Sequence, residues 1–205
     1  MKEYAIAVLG ATGVVGREML KVLEERKFPI SEIRPIASAR SAGKKIDYNG
    51  ESFEITEATD HAFNGIDIVL GAADNDIAKR FAPSILRAGA VFVDNSSAFR
   101  LDDKVPLVVP EINGDDANHN SGIIANPNCS TIITLMAVAP IAKISPVKSI
   151  TASTCQAVSG AGAAGLNELQ EQILDYAAGK ELQVSAFSHQ IAFNLIPKIG
   201  SYGEN

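Results

Sequence analysis

The stretch Tyr4-Ala5-Ile6-Ala7-Val8-Leu9-Gly10-Ala11-Thr12-Gly13-Val14-Val15-Gly16 decides the fold. A short apolar run, Tyr4 to Leu9, has the composition of a buried strand and runs directly into three glycines spaced three apart. Beyond them Val15, Met19, Leu20, Val22 and Leu23 recur at helical spacing as far as Arg26. Strand, glycine turn and helix therefore stand in series. Glycines at such a turn let the chain tighten and let its backbone approach a pyrophosphate, which then rests on the helix N-terminus. The same pattern also serves a strand–helix turn that binds nothing; the strand before it and the helix after it favour the dinucleotide.

Working outward, Ile33 to Ala37 reads as a second strand, and Lys45 to Thr56 alternates around Asn49-Gly50, a hairpin signal. Ile66 to Leu70 and Val91 to Asp94 read as buried strands separated by a helix from Asp76 to Arg87. Leu107 to Val109 and Ile123 to Ala125 are short strand candidates, and a buried helix is expected after Cys129. A long strand follows from Val147 to Cys155, then the glycine-rich Ser159 to Gly162, then an amphipathic helix from Leu166 to Ala177. Strands alternating with helices imply an α/β, Rossmann-like, doubly wound and mostly parallel sheet. The alternation changes character near Cys129, which sets an expected boundary: a nucleotide-binding domain over residues 1–128 and the beginning of an α+β catalytic and dimerisation domain over 129–205.

Composition narrows the function. A hydrophobic content of 46% with 20% charged residues is ordinary for a soluble globular chain of 205 residues. The net charge of −6 argues against nucleic acid or an anionic membrane as partner. Two cysteines and three dispersed histidines give neither a disulfide framework nor a metal-ligand spacing, so a reducing cytoplasm is the expected compartment and no metal is expected. The opening Met1-Lys2-Glu3 and the apolar run after it superficially resemble a signal peptide, but Glu3 and the glycine pattern suit a buried strand better. The apolar run from Ile132 to Ile144 is broken by Pro140 and Lys143 and is shorter than the ~20 residues that span a bilayer.

Several residues carry chemistry. About 20 residues past a glycine fingerprint, an NAD enzyme offers a carboxylate to the ribose hydroxyls. Here the second strand ends in Ala37-Ser38-Ala39-Arg40-Ser41-Ala42-Gly43-Lys44, with no acid and with a guanidinium between two hydroxyls. Arg40 with Ser38 and Ser41 suits a 2′-phosphate, which favours NADP over NAD; a solvated loop is the plain alternative. Cys129, in Asn126-Pro127-Asn128-Cys129-Ser130-Thr131, stands at an expected helix N-terminus, where unpaired N–H groups and the dipole favour negative charge. It reads as a nucleophile, against the plainer reading of an inert core thiol. Cys155 lies inside the strand pattern and reads as structural.

Arg100, in Asp94-Asn95-Ser96-Ser97-Ala98-Phe99-Arg100, follows a buried strand at the edge where open α/β sheets bind ligands. It would hold a phosphate or carboxylate, or else form a surface ion pair. Gln156 would hydrogen-bond a polar substrate or be a satisfied loop amide. Ser159 and Gly160 would pack against a cofactor or form a flexible turn. His61, His119 and His189 share no motif with Cys129 and take no catalytic role.

Together the chain resembles the aspartate-semialdehyde dehydrogenase family over essentially its whole length. The resemblance rests on Gly10 to Gly16, Ser38 to Gly43, Asp94 to Arg100, Asn126 to Thr131 and Gln156 to Gly162, five motifs in the family's order. It implies that Gly10, Thr12, Gly13, Val14 and Val15 line the cofactor phosphates, that Ser38, Arg40 and Ser41 read the 2′-phosphate, and that Ser159 and Gly160 touch the cofactor. It further implies that Arg100 binds inorganic or acyl phosphate, that Cys129 becomes an acyl-thioester, and that Gln156 contacts the substrate. Asn128, by its placement, would help hold the oxyanion. The implied reaction takes L-aspartyl 4-phosphate and NADPH to aspartate semialdehyde, phosphate and NADP, in the biosynthesis of lysine, methionine, threonine and isoleucine, with a homodimer as the working form. The family's histidine base, and its arginine, glutamate and lysine for substrate and phosphate, come later in the chain than Asn205. On that expectation this polypeptide is an N-terminal portion that turns over poorly by itself. The rival readings are N-acetyl-glutamyl-phosphate reductase, which shares the thioester logic, and a dinucleotide-binding module without catalysis.

Overall fold

The computed structural model describes residues 2–197. They form two compact units, one ending at Thr154 and one beginning at Cys155. In the first, β1 (Tyr4–Leu9) leads through the glycine turn into α1 (Val14–Glu25), then β2 (Ile30–Ala37), β3 (Lys45–Tyr48), β4 (Glu51–Glu54) and β5 (Thr56–Glu57). Next come β6 (Ile68–Gly71), α2 (Asn75–Arg87), β7 (Val91–Asp94), the single turn α3 (Pro110–Asn113), β8 (Ile123–Ala125) and α4 (Cys129–Ala142). Six strands pair in the order β5-β2-β1-β6-β7-β8, every pair parallel, so all carboxyl ends lie along one edge. The expected doubly wound sheet is present.

The side-chain period of two in β1 explains the two layers of core. Ala5, Ala7 and Leu9 point to one face, where they pack with Phe81 and Ile85 of α2 and with Phe92 of β7. Ile6 and Val8 point to the other, against Leu20 of α1 and Ile33 of β2. Because both faces are covered, the strand reads as continuously apolar rather than alternating. The β3–β4 hairpin forms its own antiparallel pair, and its turn residues Asn49 and Gly50 both have positive φ, as a two-residue type I′ turn requires.

The second unit contains α5 (Gly162–Ala177) and the irregular segment after it. Glu168 and Gln172, one turn apart on α5, are both buried and supply the hydrogen bonds that this segment lacks from secondary structure. Ser185 donates to Glu168 Oε2 through its N–H at 3.0 Å and its hydroxyl at 2.9 Å, and the Ala186 N–H donates to the same oxygen. Gln172 accepts from the N–H groups of Ile191 and Ala192, each at 3.0 Å, and donates to the Gln183 carbonyl at 2.7 Å. Burial alone would raise the Glu168 pKa; hydrogen bonds from Ala186, Ser185 and Phe187 outweigh it and hold the carboxyl below its usual range.

Three expectations are corrected. Residues 147–155 form no strand: among the described residues nothing pairs with them, and a strand without a neighbour cannot satisfy its N–H and C=O groups. Cys155 is accordingly exposed rather than set in a strand. The helix after Cys129 is present, but none of its side chains is buried and Ile133 is 71% exposed. Its sequence is apolar all round, which only a full surrounding of other elements would cover, and the described residues do not supply one. The segment Leu107 to Val109 makes only a single bridge, Leu107 to Ala125, beside β8.

Candidate active site

The glycine turn separates what the fold needs from what a ligand needs. Gly10 has φ +89°, and a Cβ there would lie 2.7 Å from the Ala72 carbonyl oxygen at the end of β6. At Gly16 a Cβ would lie 2.3 Å from the Gly10 carbonyl oxygen and 2.8 Å from the Ala11 Cα, so α1 can sit under the turn only with glycine there. Gly13 differs: its φ is −73°, and a Cβ would meet only the Gly10 carbonyl oxygen, at 3.3 Å. The fold does not demand glycine at 13; open space above it is what a closely approaching phosphate would use.

The start of α1 supports that reading. Asp74 caps α2 by accepting from the Ile77 N–H at 3.0 Å, and Asn128 caps α4 by accepting from the Ser130 N–H at 3.0 Å. Helix α1 has no side-chain cap and no acid in its first turn, so its leading N–H groups are offered outward. Thr12 is half-buried, and Val14 and Val15 are 40% and 43% exposed around that opening. The residues present fit a dinucleotide phosphate.

Ser38, Arg40 and Ser41 follow β2, whose Ile36 pairs with Leu9 and accepts from the Gly10 N–H at 2.8 Å, so this loop stands beside the glycine turn. The Ser41 N–H donates to the Ser38 carbonyl at 2.8 Å, closing a turn that leaves Arg40 exposed. No carboxylate lies within ion-pair distance of Arg40 among the described residues.

Farther along the same edge, Cys129 opens α4 and is exposed. Three residues separate it from β8, whose Ala125 pairs with Asp94 of β7. Arg100 joins the ends of those two strands: its Nε donates to the Asn126 carbonyl at 2.8 Å and its Nη2 to the Asn95 carbonyl at 2.9 Å. The Asn126 carboxamide donates to Asn95 Oδ1. The alternative reading of Arg100, a surface ion pair, is not seen: among the described residues no carboxylate lies within ion-pair distance of its guanidinium. Asn95 and Asn126 are the participants that sequence reading did not single out. Beside them a depression of about 430 Å³ is lined by Ala73, Asp74, Asn75, Asp76 and Ser96. A groove of about 350 Å³ between α1 and β3 contains none of the expected site residues.

Gln156, Ser159 and Gly160 belong to the second unit, in or just before the short 3-10 turn Val158–Ala161 that precedes α5. His61 lies before β6, His119 ends a 3-10 turn before β8, and His189 lies after α5; all three are exposed. Among the described residues no group of acids, histidines and cysteines could hold a metal, and no helix is long and apolar enough to cross a membrane.

Residues 5–120 match the semialdehyde dehydrogenase NAD binding domain, and residues 138–205 match the semialdehyde dehydrogenase dimerisation domain. The chain belongs to the semialdehyde dehydrogenase family. Among its relatives, the aspartate-semialdehyde dehydrogenase of Synechocystis sp. is 47% identical over 94% of this chain and 57% of that protein. Aspartate semialdehyde dehydrogenase II of Vibrio cholerae, solved as a complex with ASA, superposes with a TM-score of 0.95 at 41% identity, over 98% of this chain and 61% of the other. A Candida albicans aspartate semialdehyde dehydrogenase solved with NADP matches at a TM-score of 0.57 and 26% identity, over 70% of this chain and 48% of the other. The chain thus spans about three fifths of the length of the curated relatives it matches. The gap between the two matched stretches, residues 121–137, contains Cys129.

Proposed function

We propose that this chain carries the NADP-binding and thioester-forming part of an aspartate-semialdehyde dehydrogenase, which reduces L-aspartyl 4-phosphate to aspartate semialdehyde. The observation that carries the reading is the position of Cys129. It heads α4 at the carboxyl edge of an all-parallel sheet, on the same edge as the uncapped start of α1 and the open guanidinium of Arg100. Thr12 to Val15 hold the cofactor phosphates, and Ser38, Arg40 and Ser41 distinguish the 2′-phosphate of NADP from the bare ribose of NAD. Support for NADP comes from the loop after β2, which offers a cation and two hydroxyls where NAD recognition needs a carboxylate.

The Cys129 sulfur attacks the acyl carbon, the acyl–oxygen bond breaks, and phosphate leaves against Arg100. The product is a thioester on Cys129, with the Asn128 carboxamide, whose oxygen accepts from the Ser130 N–H, donating through its nitrogen to the oxyanion of each tetrahedral stage. NADPH, when bound, supplies the hydride that reduces this thioester. Collapse of the resulting thiohemiacetal oxyanion expels the sulfur and frees the aldehyde. Gln156 contacts the substrate, and Ser159 with Gly160 touches the cofactor. A homodimer fits the match to a dimerisation domain over residues 138–205 and the uncovered apolar surface of α4; the catalytic and dimerisation domain is proposed to begin at Cys129.

The test is phosphate-dependent NADPH formation from aspartate semialdehyde and NADP. The reading requires that it vanish in Cys129→Ser and persist in Cys155→Ser. Equal loss in both variants would mean a folding effect and would count against the nucleophile assignment.

A further inference from the structure

We infer that Asn95 and Asn126 are positioning residues that fix which edge of Arg100 meets the departing phosphate; the inference rests on the reading of Arg100 as the phosphate site. A guanidinium has two edges suited to a bidentate oxyanion: the side edge formed by Nε and Nη2, and the end edge formed by Nη1 and Nη2. In this structure the side edge is occupied by two main-chain carbonyls, Asn126 at 2.8 Å from Nε and Asn95 at 2.9 Å from Nη2. Nη1 makes no hydrogen bond to the described residues, and Nη2 has a second hydrogen left. Only the end edge is open, so an oxyanion is taken end-on through Nη1 and Nη2.

Those two carbonyls are held by the sheet itself. The Asn95 N–H donates to the Gly71 carbonyl at 3.1 Å and the Asn126 N–H to the Asp94 carbonyl at 2.8 Å, which extends the β6–β7 and β7–β8 ladders by one residue each. The Asn126 carboxamide, donating to Asn95 Oδ1, ties the two strand ends directly. Arg100 is therefore aimed by neutral acceptors, which orient it without cancelling its charge. A carboxylate in their place would orient it equally well and remove its attraction for phosphate. A lysine at 100 has one nitrogen and cannot bridge both carbonyls while facing an anion.

Replacing Asn126 by Asp leaves both main-chain carbonyls in place but sets an acceptor against Asn95 Oδ1 and adds negative charge beside the guanidinium. The experiment measures the dissociation constants of inorganic phosphate and of NADP, with thermal midpoints, for the chain and its N126D, R100K, R100A and R100A/N126D variants. Phosphate affinity is expected to fall at least tenfold in N126D, R100K and R100A, with NADP affinity within twofold and the midpoint within a few degrees of the parent. N126D is expected to cost less in the R100A background than in the parent, because Asn126 acts largely through Arg100. Unchanged phosphate affinity in N126D beside a loss in R100A would overturn the positioning role and leave the phosphate site standing. Unchanged affinity in R100A, or no phosphate binding by the parent chain, would overturn the phosphate reading itself. A joint loss of phosphate affinity, NADP affinity and stability in N126D would reduce Asn126 to a structural residue and also sink the proposal.

Discussion

Substituting alanine for Gly13 and for Gly16 separates cofactor binding from folding, because the two glycines meet different surroundings. At Gly16 the added carbon would sit 2.3 Å, 2.8 Å and 2.9 Å from backbone atoms of Gly10 and Ala11, none of which can rotate away. Relief needs α1 and the turn to part by roughly 1 Å, and overpacking of this kind costs about 3 kcal/mol, well above the up to ~1 kcal/mol that alanine gains over glycine inside a helix. The net of about 2 kcal/mol is, for a unit of this size, a fall in midpoint of roughly 4–8 °C. At Gly13 the single contact is 3.3 Å and φ is −73°, so alanine fits with a small adjustment. Its lower unfolded-state entropy and its poorer capping nearly cancel, leaving stability within about 1 kcal/mol. The methyl nevertheless occupies the approach to the N–H groups of α1. Loss of one hydrogen bond to a charged phosphate, about 1.5–3 kcal/mol, weakens NADP by about 10- to 150-fold. Differential scanning fluorimetry with NADP titration reads both quantities. Wild-type NADP affinity in Gly13→Ala would refute the placement of the phosphates, and a destabilisation equal to that of Gly16→Ala would refute the steric reasoning.

Further outcomes follow from single contacts. Asp74→Ala removes the cap that accepts from Ile77 and is expected to cost about 1 kcal/mol, read as a shift in urea midpoint with an unchanged m-value. Glu168→Gln keeps the shape but removes the charge at Oε2 that Ser185 and Ala186 donate to, with an expected loss of about 1.5–3 kcal/mol from the second unit, measured by amide exchange in residues 183–192. The Glu168 carboxyl titrates lower folded than unfolded. Its contribution is therefore present above the unfolded value of about 4.3 and is lost as pH falls through the lower folded value. Protection of that segment should drop across this acidic window in the parent and stay flat in Glu168→Gln; matching profiles would exclude Glu168 as the cause.

Legibility of the chain in its sequence tracks the range of the forces involved. The strand, glycine turn and helix from Tyr4 to Glu25 are set by local period and by Gly10's positive φ, so sequence and structure agree within a residue. The hairpin at Asn49-Gly50 is local in the same sense. Residues 147–155 have the side chains of a strand, but a strand exists only with a neighbour, and composition does not say whether one is at hand. Helix α4 misleads for the same reason: Ile132 to Ile141 call for burial, and burial belongs to whatever surrounds the helix. The chemistry divides likewise. Cys129 and Arg100 stand out by type and placement, whereas the clasp of Arg100, Asn95 and Asn126 depends on how β7 and β8 align, which no spacing in the sequence encodes.

Uptake of the acyl group by Cys129 is read most directly by covalent trapping. The chain is incubated with L-aspartyl 4-phosphate without cofactor, quenched in acid, digested and analysed by mass spectrometry, with parallel samples treated with hydroxylamine. A hydroxylamine-labile aspartyl adduct is expected on the peptide containing Cys129, absent in Cys129→Ser and undiminished in Cys155→Ser. An adduct carried by Cys155, or one that survives in Cys129→Ser, would contradict acyl uptake by Cys129.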